Sequence, residues 1–133
     1  ARATGTTSTA GKLFDATADR YVEAALFVGI VFYVRASAPL LLLTLAALIA
    51  SFLVSYVSAK IEAYPNVSVP RGAMRRGERL VLLTLGTGLV PAVARLFPST
   101  ASLVPLIVAL AIIAVAGNFS AVRRLLHLAR SAP

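Results

Sequence analysis

Asp15, Asp19 and Glu23 stand four residues apart in the stretch GKLFDATADRYVE, immediately ahead of the apolar run AALFVGIVFYV. In a helix this spacing stacks the three side chains on one face, each about one turn beyond the last. Neighbouring carboxylates repel one another, and an acid that enters a bilayer costs a few kcal/mol or more on insertion scales, so the ladder calls for a function. Asp15 and Asp19 have the chemistry of a divalent cation site, above all for Mg2+, a hard ion that takes oxygen ligands and is commonly completed by a substrate's phosphates. The same pair also fits a plain interfacial helix end, where the N-terminal dipole favours acids. The spacing D-x-x-x-D alone does not choose between the two.

The helix that must carry this ladder belongs to a chain of 133 residues, 59% hydrophobic and 14% charged, with a mean hydropathy of +0.86. A soluble domain of this size needs more charge to cover itself, so the composition indicates an integral membrane protein. With no cysteine, disulfides and thiolate metal ligands are excluded. Four apolar segments, at about 11–34, 39–59, 80–97 and 102–122, approach the ~20 residues that cross a ~30 Å hydrocarbon core. They predict an all-α, polytopic membrane helical bundle with four transmembrane helices in a single domain over residues 1–133. Pro91 and Pro105 lie inside these segments, where transmembrane helices tolerate them. Gly86, Gly88 and Gly117 suit close helix packing. The joints RASA and PSTAS are short, whereas the stretch of about 60–78, KIEAYPNVSVPRGAMRRGE, is a loop with two prolines, two glycines and several basic residues.

The net charge of +8 and pI near 11.2 would suit nucleic acid, but the distribution of that charge explains it otherwise. Of the 13 Lys and Arg residues, Arg35 and Arg95 fall on one side of the segments and all the others on the opposite side, with the N-terminal stretch, the long loop and the C-terminal stretch. The positive-inside rule places that loaded side in the cytoplasm. No nucleic-acid partner is expected. The opening ARATGTTSTAGK has no basic segment leading into an apolar core and cleavage site, so it is not a signal peptide. His127 is the sole histidine and reads as a surface residue, and no P-loop, dinucleotide fingerprint or nucleophile triad occurs.

From its first residue the chain reads Ala1-Arg2, eight residues, Gly11, three residues, Asp15, three residues, Asp19. This resembles the second part of the CDP-alcohol phosphatidyltransferase signature, D-x2-D-G-x2-A-R-x8-G-x3-D-x3-D, with every fixed residue and spacer in place. SYVSAKIEA, RGAMRRGERLVLL and AVRRLLHLAR resemble later parts of bacterial members more loosely. The family has six transmembrane helices, of which these would be the last four. The resemblance therefore implies a C-terminal fragment that begins inside the signature, without its first two aspartates, and inactive as it stands.

The resemblance further implies a reaction: transfer of a phosphatidyl (phospho-alcohol) group from a CDP-linked lipid donor to a hydroxyl acceptor, with release of CMP, in phospholipid biosynthesis. It makes Mg2+ (or Mn2+) the cofactor, Asp15 and Asp19 its ligands, and Asp19 also the general base. It assigns Arg2 to the nucleotide, and Gly11 to a close approach of backbone and nucleotide that a Cβ would block. Arg76 and Arg79, in RGERL, are similar to arginines of bacterial members that take an inositol phosphate acceptor. With Lys60 they are expected to line a pocket for a phosphorylated polyol, since guanidinium forks suit phosphate. The plain alternative for such a basic cluster is anchorage to anionic lipid, worth about 1 kcal/mol per residue. Glu23 lies outside the signature and is expected as a structural partner of Arg20 or of a later arginine.

The implied partners are the CDP-linked lipid donor, a small polyol or amino-alcohol acceptor, membrane lipid and a second copy in a homodimer. The implied setting is a bacterial-type plasma (inner) membrane with the active site facing the cytoplasm. The competing reading is a non-catalytic four-helix membrane scaffold or transporter subunit. A transporter would want polar groups at mid-bilayer, and segments two to four offer only Arg95, near the outer end.

Overall fold

The computed structural model describes residues 9–63, 74–97 and 100–131, and these form four helices with no strand among them. They are α1 (Thr9–Val34), α2 (Ala38–Glu62), α3 (Arg76–Leu96) and α4 (Val104–Ser131), the last entered through a 3-10 turn, Thr100–Leu103. The joint between α1 and α2 is tight because Ser37 adopts an extended conformation ahead of Pro39, whose fixed φ suits the first turn of a helix. The Ser37 N–H donates to the Val34 carbonyl at 2.9 Å, and Leu41 N–H to the Ser37 carbonyl at 2.9 Å. At the start of α3, Glu78 reaches back to accept the Arg75 N–H at 2.9 Å, which satisfies a donor the first turn would otherwise leave open.

Three helices extend beyond the apolar runs that forecast them. α2 continues through Lys60 to Glu62, α3 begins at Arg76 rather than near residue 80, and α4 runs past residue 122 to Ser131. The extra turns are rich in Arg and Lys, which are good helix formers and can lay their stems along apolar surface with the charge in water.

α4 packs along α2 and α3, and α1 leans chiefly on α2. Phe27 and Ile30 of α1, Ala47 of α2, Leu83 of α3 and Leu106, Leu110 and Ile113 of α4 are buried together at the centre. Small residues bring the backbones close: a Cβ on Gly117 would stand 3.0 Å from that of Ala50, and one on Gly86 would stand 2.6 Å from that of Ala109. Gly88 has nothing within 4 Å and plays no such part.

The outer surface is apolar, with Val115 at 73% and Phe119 at 69% exposure, as expected of a protein bathed in hydrocarbon rather than water. Among the described residues three helices are long and apolar enough to cross a membrane: Ala38–Glu62, Arg76–Leu96 and Ala101–Arg130. Of the four expected spans, α1 is thus not one on length and composition. Its last 18 residues still include Asp19, Arg20 and Glu23, so the acidic ladder that marks it chemically also removes it from the apolar set.

Candidate active site

The hairpins bring the first half of α1, the last turns of α2, the start of α3 and the later part of α4 to one end of the bundle. There the side chains enclose a cavity of about 740 Å³. Arginines dominate its walls: Arg20 from α1, Arg75 at the cap of α3, Arg76 and Arg79 within α3, and Arg124 from α4. Glu62 is the one acid among the lining residues. Such a chamber favours an anionic ligand, because clustered guanidinium groups between low-dielectric walls reinforce one another's field.

The deepest acid is Glu23, fully buried at 0% exposure. It accepts from Arg79 Nε at 2.9 Å and Arg79 Nη2 at 3.4 Å, from Arg20 Nη1 at 3.1 Å, and from the Ser51 hydroxyl. The expected structural role of Glu23 is met, with both named kinds of partner present. One turn nearer the helix start, Asp19 pairs with Arg76, and both side chains are partly exposed. Asp15, a further turn back, is exposed.

α2 carries no charge before Lys60, yet it organises the arginines through a stripe of serines. Ser55 and Ser58 donate their hydroxyls to the carbonyls one turn back, at 2.9 Å to Ser51 and 2.6 Å to Val54. With the proton committed, each oxygen serves as an acceptor: Ser55 for Arg79 Nη2 at 3.0 Å and for Arg20, Ser58 for Arg124. Arg124 is itself 6% exposed. Among the described residues, its Nε and that of Arg76 are buried without a protein acceptor. Two donor groups at the cavity wall are thus left for a ligand.

The residues singled out in the sequence are distributed as follows. Asp15 and Asp19 share one face of α1, but the cavity wall takes their neighbours Ala16, Thr17 and Arg20. Gly11 sits exposed in the first turns of α1, and Arg2 lies outside the described residues. Arg76 and Arg79 come together at the cavity, but Arg79 is buried at 1% exposure and directs every guanidinium nitrogen at protein acceptors. Lys60 is exposed, not among the lining residues, and holds its ammonium 5.6 Å from the centre of the Tyr56 ring. Sequence reasoning did not assign Arg20, Arg124 or the serines to the site. The spacing of Ser51, Ser55 and Ser58, one face of an otherwise apolar helix, was the available signal.

For a divalent ion, the donor chemistry of Asp15 and Asp19 fits, but the number of donors falls short. No group of three or more acidic or histidine side chains gathers among the described residues. An ion held here would need oxygen ligands from elsewhere, and Asp19 would share it with Arg76.

Residues 1–126 match the family model described as CDP-alcohol phosphatidyltransferase, and the chain belongs to that family. It is 36% identical over 89 residues to the phosphatidylinositol phosphate synthase of Mycobacteroides abscessus, a match covering 65% of this chain and 40% of that protein. It is 35% identical over 82 residues to the synthase of Mycolicibacterium smegmatis, covering 59% of this chain and 36% of that protein. The fold matches two crystal structures of the Mycobacterium tuberculosis phosphatidylinositol phosphate synthase. The one in complex with manganese and citrate has a TM-score of 0.79 and 31% identity, over 99% of this chain and 62% of that one. The one with CDP-DAG bound has a TM-score of 0.75 and 33% identity, over 96% and 63%. The chain thus spans less than two thirds of the length of the relatives it matches.

Proposed function

We propose that these helices form the acceptor-side part of a CDP-alcohol phosphotransferase site, which moves a phosphatidyl group from a CDP-linked lipid to a hydroxyl of a phosphorylated polyol. The arginine-lined cavity beside the Asp15–Asp19 ladder carries this reading, above all the unpartnered Nε groups of Arg76 and Arg124. Guanidinium donors without protein acceptors suit a phosphate dianion better than a neutral or cationic acceptor such as inositol or serine. The synthases that this chain resembles make phosphatidylinositol phosphate, which fits an inositol phosphate acceptor.

The chemistry assigned to these residues is a single displacement. The acceptor oxygen bonds to the phosphatidyl phosphorus, the bond from that phosphorus to the CMP oxygen breaks, and the acceptor proton passes to the Asp19 carboxylate. Asp19 must then lie within about 3 Å of the hydroxyl, or one water away. A divalent ion, Mg2+ or Mn2+, when bound would neutralise the diphosphate and ease departure of CMP, and Asp15 and Asp19 would hold it together with further oxygen ligands. Arg76 and Arg124 orient the acceptor's phosphate. Gly11 and Arg2 remain the proposed nucleotide contacts, and Lys60 a peripheral basic residue at the mouth.

In the same reading α1 also crosses the bilayer, its buried acid neutralised by Arg79 and Arg20. The cavity opens to the cytoplasmic face of a bacterial-type inner membrane. The deciding experiment is CMP release in liposomes by the polypeptide that joins these helices to the first half of the signature. CDP-diacylglycerol and Mg2+ are supplied with inositol phosphate, glycerol phosphate, inositol or serine. Phosphorylated polyols should support turnover and EDTA should stop it. Equal use of serine or unphosphorylated inositol would refute the phosphate assignment, and no CMP release with any acceptor would refute the enzyme reading.

A further inference from the structure

The geometry points to Arg79, gripped by Glu23, as a positioning residue that fixes α1 against α3 in register, and not as a contact for substrate. This deepens the proposed reaction and rests on it only for its kinetic consequence. Two ion pairs link α1 to α3 among the described residues, Asp19–Arg76 and Glu23–Arg79. Asp19 and Glu23 are one turn apart on α1, and Arg76 and Arg79 are one turn apart on α3, so the pairs form two rungs. The inner rung sets the height of the outer one. Sliding α1 by one turn, ~5.4 Å, would bring Asp19 level with Arg79 and leave Arg76 facing nothing.

Arg79 is built into the protein on every side. Nε and Nη2 hold the Glu23 carboxylate, Nη2 also reaches Ser55 of α2, and Nη1 donates to the Met74 carbonyl at 2.8 Å. Met74 has a φ of 70°, a left-handed conformation that a side chain with a Cβ rarely adopts. Its carbonyl is pinned by Arg79, so the same guanidinium that grips α1 also fixes the chain's entry into α3. A phosphate could reach Arg79 only by displacing these acceptors. Arg76 and Arg124, each with an unpartnered Nε, need displace nothing there.

The test uses the polypeptide with the complete signature, reconstituted in liposomes. The chain described here has no native cysteine, so nitroxide labels on Phe14→Cys and Val81→Cys, both exposed, report the α1–α3 distance by pulsed EPR. Any cysteine upstream is replaced by serine. Glu23→Gln and Arg79→Lys should broaden or shift that distance. They should also lower kcat on the order of 100-fold, as expected when reacting groups move by ~1 Å, with the KM for inositol phosphate unchanged. Ser55→Ala, which removes one acceptor from Arg79, should give the same pattern more weakly and keeps the test open should the other variants fail to fold. An unaltered distance distribution in all three variants would overturn the proposal, as would a rise in acceptor KM for Arg79→Lys at unaltered distance. The distance readout needs no turnover, so failure of the enzyme reading and failure of the register lock are told apart.

Discussion

The two rungs between α1 and α3 use the same chemistry, a carboxylate and a guanidinium, and differ in their access to water. Asp19–Arg76 is partly exposed at the cavity mouth, and Glu23–Arg79 is sealed beneath it. In the sealed rung, serines and a backbone carbonyl occupy the remaining lone pairs and N–H groups, so nothing is left for a ligand. The outer rung keeps an open guanidinium nitrogen. An arginine in such a bundle is therefore assigned by what its other nitrogens do, not by its presence near a cavity. Buried ion pairs of this kind add little net stability, but losing one partner is costly because the other charge remains stranded.

This contrast can be broken from either side. The largest effect should come from the outer rung: Asp19→Asn removes the proposed base and should lower CMP release about 10²–10⁴-fold, with the unfolding midpoint in detergent nearly unmoved. Glu23→Ala strikes the inner rung and should do the reverse to stability, costing about 3–5 kcal/mol through the stranded Arg79 charge. In denaturant unfolding, Glu23→Ala combined with Arg79→Met should recover part of that loss; an additive double variant would show that the two residues are not coupled.

Next comes Arg124→Gln, which should cost about 1.5–3 kcal/mol of acceptor binding, the worth of a hydrogen bond to a charged group. It should register as a raised KM for inositol phosphate with kcat preserved, and an unchanged KM would remove Arg124 from the acceptor site. Ser58→Ala should be the mildest, about 1 kcal/mol, again in KM, because it loosens Arg124 without removing it. If Ser58→Ala equals Arg124→Gln, the serine contributes more than orientation.

Much of this was legible before the coordinates. Four helices followed from apolar runs, and Gly11, Asp15 and Asp19 from fixed spacing in a family signature. Glu23 was expected to take an arginine, because an acid that deep needs a cation. Which arginine was not legible: Glu23 and Arg79 are 56 residues apart, and only the packing of α1, α2 and α3 around one point brings them together. RGERL suggested that Arg76 and Arg79 act alike, since residues three apart share a helix face, but depth along that face separates them. Lys60 was placed in the pocket because it closes the second apolar segment. The ring of Tyr56, one turn earlier, draws its ammonium away from the lining. α1 was counted as a span by its length, although its charges exclude it from the apolar set.

Because the protons of Ser55 and Ser58 are given to their own helix, α2 can steady the chamber's cations without contributing any opposing charge. Carboxylates at those two positions would orient the guanidinium groups as firmly but would discharge the field they create. A multiply charged metabolite arriving from the cytosol would then meet a neutral vestibule and have little reason to stay.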